Sequence, residues 1–126
     1  MSIYTPIVPL AHEHPIDPQR VEVTRQRVLS AEEGERAAMT LRLLGDPVRA
    51  RIVSALAETD ELCVGDLALV LDVSDSSISH ALRLLRTAGV VRNRRDGRVI
   101  YYRLADPMAR QVLDVVAAGG PDGGQR

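Results

Sequence analysis

The fold of this chain is indicated most clearly by residues 61–104, ELCVGDLALVLDVSDSSISHALRLLRTAGVVRNRRDGRVIYYRL. Residues 63–71 have the apolar spacing of a short helix, and a turn follows at 72–74. A serine-rich helix begins at Ser74 or Asp75 and ends at Gly89. Its apolar residues recur at helical spacing and are Ile78, Ala81, Leu82 and Leu85. Two short helices joined by a tight turn, the second with polar side chains on its outer face, predict a helix-turn-helix.

The segment that follows the serine-rich helix predicts a β-hairpin. Residues 90–94 and 99–104 are rich in β-branched residues and tyrosine, which favour strands. Between them, the Asp96-Gly97 pair favours a tight turn. Such a hairpin would carry several arginines at its tip.

Helix-start signals mark the remaining helices. Ser30 and Glu33 form a capping box that opens a helix ending at Gly45, which residues 21–29 could extend upstream. An aspartate followed by proline at the first helical position predicts two more helices, at Asp46-Pro47 and Asp106-Pro107.

Together these elements predict a mainly α fold with a small β-hairpin, a winged helix-turn-helix, over residues 21–118. Residues 1–20 contain prolines without a helical period, so we expect a flexible N-terminal arm, and the glycines of 119–126 predict a disordered tail. With three Tyr and no Phe or Trp, the core of one small domain is modest. A small core leaves much apolar surface exposed, and self-association would bury part of it, so we expect a homodimer.

Charge is distributed unevenly although the net charge is only −1. All 16 basic residues are arginine, and none lies between Arg51 and Arg83. From Arg83 to Arg103 there are seven arginines, with Asp96 as the only acid. A local basic surface attracts phosphates even where the total charge is near zero.

The predicted DNA-binding residues lie on two elements. Arg94, Arg95 and Arg98 are placed at the hairpin tip, where they suit phosphates or a minor groove. Polar residues opposite the apolar stripe of the serine-rich helix suit a major groove, and these are Ser76, Ser77, Ser79, His80 and Arg83. The alternative is that these serines and arginines only solvate a helix and a hairpin.

Other classes of protein are disfavoured. No nucleophile–base set, phosphate loop or pair of catalytic acids can be assembled, so an enzyme is not expected. One cysteine cannot form an intramolecular disulfide, and neither a signal peptide nor a membrane span is apparent. We therefore expect a cytoplasmic protein with no membrane partner.

The motifs resemble those of the ArsR/SmtB family of metal-sensing repressors over roughly residues 41–116. The segments that carry the resemblance are Gly45–Arg49, Glu61–Ala68, Val73-Ser74, Ser76–Leu82, Gly89–Val91, Asp96–Arg98 and Tyr101–Leu104. The resemblance implies a winged helix-turn-helix homodimer whose first and last helices form the dimer interface. It also implies binding to a pseudo-palindromic operator and release when an inducer binds.

A candidate metal site combines the helix that begins near Cys63 with the arm. Cys63 and Asp66 are three residues apart, so both side chains share a helical face if Cys63 lies in the first turn. A helix N-terminus favours the metal-binding thiolate, and His12 and His14 alternate in the arm so that they can point the same way. One sulfur, two imidazoles and one carboxylate suit zinc, with cobalt, nickel or cadmium as alternatives.

The resemblance bears on this site as well. The zinc-sensing branch of the family binds metal through a cysteine and an aspartate that correspond to Cys63 and Asp66, with arm ligands usually from the partner subunit. His12 and His14 are inferred from this chain alone. The family's other common site, on the last helix, is expected to be absent, since Met108 replaces its first histidine.

Three alternatives to metal sensing stay open. Cys63 and Asp66 could be structural residues at a helix start, with the arm histidines merely solvated. Cys63 could be a thiol redox switch in a repressor. The chain could also be a metal-binding interaction protein that does not bind DNA.

Overall fold

A computed structural model describes residues 13–119, whose contacts fall into two compact units divided between Gly34 and Glu35. The elements, in chain order, are α1 (Pro18–Arg27), α2 (Ala31–Leu44), α3 (Pro47–Ala57), β1 (Leu62–Cys63), α4 (Val64–Leu71), α5 (Asp75–Thr87), β2 (Val91–Asp96), β3 (Val99–Leu104) and α6 (Pro107–Ala117).

In the first unit, two separate start signals give two helices. The Asp17 carboxylate accepts a hydrogen bond from the Arg20 amide at 2.9 Å and opens α1, which begins three residues before Val21. Val28 is extended, with φ −76° and ψ 162°, so α1 and α2 are separate helices and residues 21–29 do not extend α2 upstream. The predicted capping box is confirmed: the Ser30 amide donates to Glu33 Oε1 at 2.9 Å, and the Glu33 amide donates to Ser30 Oγ at 3.1 Å.

In the second unit, Asp46 and Arg49 make hydrogen bonds that cap the start of α3 and the end of α2. The Asp46 carboxylate accepts from the Arg49 amide at 3.0 Å, as the Asp-Pro signal predicts. The Arg49 side chain turns back, and its Nε donates to the Leu43 carbonyl at 2.6 Å. One residue therefore satisfies backbone groups at two adjoining helix ends.

The sheet has three antiparallel strands in the order β1-β3-β2. The β2–β3 hairpin is longer than predicted, because β2 runs to Asp96, which pairs with Val99. Its turn consists of Gly97 and Arg98, and Gly97 has φ +65° at the first loop position, where glycine is favoured. The third strand, β1, pairs Cys63 with Tyr101 and was not predicted.

The core is aliphatic and centres on α5. Its apolar stripe is almost wholly buried: Ile78 0% exposed, Ala81 3%, Leu82 0% and Leu85 0%. Side chains from α3, α4 and the start of β2 join it, namely Ile52, Val53, Leu56, Leu67, Leu71, Val90 and Val91. No polar or charged residue of the described part of the chain is buried.

Helices α4 and α5, the turn between them and the β2–β3 hairpin form a winged helix-turn-helix. The predicted fold class, mainly α with a small hairpin, is confirmed. Across residues 13–119, no helix combines the length and apolarity that crossing a membrane requires.

Two leucines on α4 offer a matched test of this packing. Leu67 is 0% exposed and Leu69 is 81% exposed. Because Leu67→Ala leaves a cavity under α5, it should lower the free energy of unfolding by about 2–5 kcal/mol. Leu69→Ala should change it by less than about 0.5 kcal/mol. Chemical denaturation at one fixed protein concentration measures both, and equal effects would contradict the core described here.

Candidate nucleic-acid interface and sensing site

Both ends of α5 are fixed by hydrogen bonds that its sequence dictates. At the start, Ser74 Oγ accepts from the Ser77 amide at 3.2 Å, which makes Ser74 the N-cap. At the end, the Val90 amide donates to the Leu85 carbonyl at 2.9 Å and the Gly89 amide donates to the Arg86 carbonyl at 3.0 Å. Gly89 has φ +80°, so this is a Schellman cap that requires glycine. The predicted boundaries of the serine-rich helix are confirmed.

The turn before α5 also has a defined geometry. Asp72 is the C-cap of α4 and has the left-handed conformation, φ 56° and ψ 50°, which aspartate tolerates better than most residues. The Val73 amide donates to the Ala68 carbonyl at 3.2 Å. Asp72 and Ser74 therefore have local structural roles in the turn and the cap.

The predicted DNA-contacting residues of α5 are all exposed, but they differ in their bonding. Ser74 Oγ donates to Ser77 Oγ at 3.0 Å and lies 3.3 Å from Ser76 Oγ, so the first two serines belong to the capping network. Within residues 13–119, no hydrogen bond or ion pair engages the side chains that follow, which are Ser79, His80 and Arg83. Of the five residues predicted to contact DNA from α5, these three are the ones not engaged within the described chain.

The arginines of the β2–β3 hairpin, which is the wing of the fold, also differ in their hydrogen-bond partners. Arg98 lies in the two-residue turn, and the only side-chain hydrogen bond of Arg95 within the described chain is a long one, 3.5 Å from Nη1 to the Gly97 carbonyl. The Arg94 guanidinium is instead engaged in the molecule. Its Nε donates to Glu61 Oε2 at 2.9 Å, and its Cζ lies 4.7 Å from the centroid of the Tyr101 ring. Sequence reasoning did not identify Glu61 as its partner.

The Glu61–Arg94 pair is charged at neutral pH. The hydrogen bonds from Arg94 lower the pKa of Glu61; partial desolvation opposes this, while the charges of Arg94 and Arg103 reinforce it. The same hydrogen bond raises the pKa of Arg94. The pair is partly solvated, since the Arg94 side chain is 52% exposed and that of Glu61 is 22% exposed.

The candidate sensing residues lie where β1 becomes α4. Cys63 is the N-cap of α4, with φ −87° and ψ 172°, and not a first-turn residue as the sequence interpretation assumed. The cause is the pairing of Cys63 with Tyr101, which keeps its backbone extended. Asp66 is therefore the third helical residue, and side chains at N-cap and N3 can approach each other, as in capping boxes. The two residues still share one helix start.

Both side chains are open to a ligand. Cys63 is half-buried and makes no capping hydrogen bond, and Asp66 is exposed. A thiolate and a carboxylate suit a borderline divalent ion such as zinc. Among residues 13–119, however, no three His, Cys, Asp or Glu side chains gather into a metal-binding group. His14 is exposed ahead of α1, and His12 lies outside the described residues.

Comparison with known proteins identifies the family. The profile described as "Bacterial regulatory protein, arsR family" matches residues 46–93. The "Transcriptional repressor SmtB homolog" of Synechocystis sp. is 41% identical over 110 residues, which are 87% of this chain and 83% of that protein. The chain belongs to the ArsR/SmtB family.

Two further relatives of this ArsR/SmtB protein are named for other elements. The "Cadmium resistance transcriptional regulatory protein CadC homolog" of Staphylococcus aureus is 29% identical over 103 residues, 82% of this chain and 80% of that protein. The crystal structure of the "AntR antimony-specific transcriptional repressor" superposes with a TM-score of 0.73 at 25% identity, over 83% of this chain and 95% of that one. The family consists of transcriptional regulators, and its helix-turn-helix implies DNA as the partner.

Substitution of two serines, one at the N-cap of α5 and one on its exposed face, tests which of them stabilises the fold. Ser74→Ala removes the side chain that caps α5 and should lower the free energy of unfolding by about 1 kcal/mol. Ser79→Ala, on the exposed face of the same helix, should leave it within about 0.5 kcal/mol. Thermal or chemical denaturation distinguishes them; a Ser74→Ala variant as stable as Ser79→Ala would rule out the cap.

Proposed function

We propose that this ArsR/SmtB protein is a metal-responsive transcriptional repressor that binds operator DNA as a homodimer and releases it when a divalent metal ion binds. The observation that carries the proposal is the orientation of α5. Its apolar stripe is buried, so the opposite face, with Ser79, His80 and Arg83, is exposed to solvent, and the same fold carries the arginine-rich β2–β3 hairpin.

The proposed DNA surface has two parts. The exposed face of α5 enters a major groove, with Arg83 contacting a base or the backbone and His80 and the serines making short polar contacts. The wing arginines Arg95 and Arg98 contact phosphates or a minor groove beside it. Arg94, the third predicted wing contact, is already paired with Glu61.

Exposed apolar side chains support the proposed homodimer. On α6, Val115 is 73% exposed and Val116 is 65% exposed; on α2, Met39 is 59% exposed and Leu41 is 55% exposed. The family resemblance assigns the dimer interface to the last helix, α6, and to the helix predicted from the Ser30–Glu33 capping box, which is α2; α1 precedes it in the structure. A two-fold dimer would present two α5 helices to half-sites separated by about one helical turn of DNA, roughly 34 Å.

We infer that the inducer is zinc, with cobalt, nickel or cadmium as alternatives. Cys63 and Asp66 would supply a thiolate and a carboxylate, and His12 and His14 of the arm would complete four ligands, from the same or the partner subunit. A bound ion would hold these groups together at the N-terminus of α4. The proposal includes a cytoplasmic location and a promoter for metal export or sequestration.

The location of Cys63 supports a link between ligand and DNA binding. Cys63 pairs with Tyr101 of β3, which belongs to the wing, and it is also the N-cap of α4, the first helix of the helix-turn-helix. A rearrangement at this residue would therefore reach the wing through the pairing of β1 with β3, and α5 through α4, which packs against it.

Operator binding with and without zinc tests the function. Wild-type protein should shift a duplex taken from the region upstream of its own coding sequence, more tightly than an unrelated duplex of equal length at the same stated salt concentration. Zinc should weaken this binding by about 5- to 150-fold. Cys63→Ser and the double variant His12→Ala, His14→Ala should bind the operator normally and lose the zinc response.

Other results would contradict the proposal in identifiable ways. Release by a thiol oxidant in wild type but not in Cys63→Ser, with no effect of any of the four ions, would indicate a redox-responsive repressor. Zinc binding without any shift of the duplex would indicate a metal-binding protein that does not act on DNA.

A further inference from the structure

The Arg94 side chain extends from β2 over β3 and meets the side chain of Glu61, next to β1. Arg94 pairs with Tyr101, and Tyr101 pairs on its other side with Cys63, so these three side chains lie on one face of the sheet. Glu61 directly precedes β1 and is two residues before Cys63, so its side chain can lie on the same face as that of Cys63. To reach Glu61 from β2, the Arg94 guanidinium passes over the Tyr101 ring, 4.7 Å from its centroid.

The contact is directional and not a loose ion pair. Arg94 Nε lies 2.9 Å from Glu61 Oε2 and 3.1 Å from Oε1, while Nη2 donates to Oε1 at 2.5 Å. Two guanidinium nitrogens and both carboxylate oxygens are therefore used, which is the bidentate geometry that arginine provides and lysine does not. The ring of Tyr101 adds a cation–π contact on the guanidinium face.

This arrangement links the wing to a strand that forms only a short ladder with its neighbour. β1 consists of two residues and makes two register pairs with β3, whereas β2 and β3 make six pairs with each other. The Glu61–Arg94 contact links the far strand β2 directly to the segment that enters β1. Because α4 begins at the residue that follows β1, this contact also restrains the orientation of the hairpin relative to α4.

We infer that Arg94 is a positioning residue: paired with Glu61 and stacked on Tyr101, it orients the wing so that Arg95 and Arg98 meet DNA, and it makes no phosphate contact itself. The inference rests on the proposed DNA-binding function. Arg95 and Arg98 have no comparable internal partner within residues 13–119, so their charges are available to phosphates.

Removing the charge of Glu61 separates the two possible roles of Arg94 by the sign of the effect. If Arg94 contacted phosphate, Glu61→Gln would free it, raise operator affinity and steepen the salt dependence by about 0.9 in log–log slope. If Arg94 positions the wing, the same substitution lowers affinity by about two- to fivefold, the range expected for a partly exposed ion pair. Operator affinity measured across a series of salt concentrations reports both quantities.

The matched control is Asp96→Asn. Asp96 lies 3.9 Å from Arg94 Nη1 and its side chain is 71% exposed, so this substitution removes a neighbouring negative charge without breaking the bidentate contact. It should leave operator affinity unchanged or raise it slightly. A fall in affinity for Glu61→Gln together with no fall for Asp96→Asn supports the positioning role.

The arginine variants complete the experiment. Arg95→Gln and Arg98→Gln should each reduce the salt slope by about 0.9, whereas Arg94→Gln should lower affinity without changing the slope. The double variant Glu61→Gln, Arg94→Gln should bind no more weakly than either single variant, because both remove the same contact. Arg94→Lys should not restore wild-type affinity.

Amide hydrogen exchange without DNA gives an independent readout. In Glu61→Gln and Arg94→Gln, amides of β1, β2 and β3 should exchange faster than in wild type, while those of α5 should not. Unchanged exchange in the sheet, a rise in affinity for Glu61→Gln or a reduced slope for Arg94→Gln would each overturn the inference. If wild type binds operator normally, such a result leaves the proposed function intact; if it binds no DNA, both fail.

Discussion

The buried apolar stripe of α5 is the constraint on which the rest of the structure depends. Ile78, Leu82 and Leu85 are fully buried between α3, α4 and the start of β2, the half-buried Tyr102 packs against this aliphatic core, and no polar or charged residue is buried within residues 13–119. Rotating α5 would expose three large aliphatic side chains, at roughly 1.5–3 kcal/mol each. The helix is therefore held with one face outward, and that face carries the groups proposed to read DNA.

The sequence was most informative where local chemistry decides structure. The Asp-Pro pairs, the Ser30–Glu33 capping box and Gly89 each fix a helix end through bonds within a few residues, and the predicted boundaries follow from them. The apolar spacing of α5 is similarly self-contained. Together with the Asp96-Gly97 turn between two strand-forming segments, these features were sufficient to predict the winged helix-turn-helix.

The features that sequence reasoning missed depend on distant partners. β1 has two residues, too few for a period-2 pattern, and it exists because residues 101–102 lie beside it. Once β1 was missed, Cys63 was assigned to the first turn of α4, and Glu61 could not be recognised as lying across the sheet from Arg94, 33 residues away. The arginine-rich wing looked uniform in the sequence, although its arginines have different surroundings.

Cys63 connects the two halves of the proposed mechanism. It is simultaneously a strand residue paired to the wing and the N-cap of α4, with a thiol that makes no capping bond. The described part of the chain provides it with Asp66 but not with a complete set of ligands. A complete site would therefore need further ligands from the arm or from a second subunit, and an ion bound to all of them would favour one arrangement of these parts, which is the property required of a switch.

Reciprocal linkage between the two ligands tests the central claim most directly. If zinc binding and operator binding favour different states of one dimer, each must weaken the other by the same factor. Zinc affinity measured by titration of the free protein and of its saturated operator complex should therefore differ by about 5- to 150-fold, with the complex binding more weakly. Equal zinc affinity in the two titrations would contradict the account.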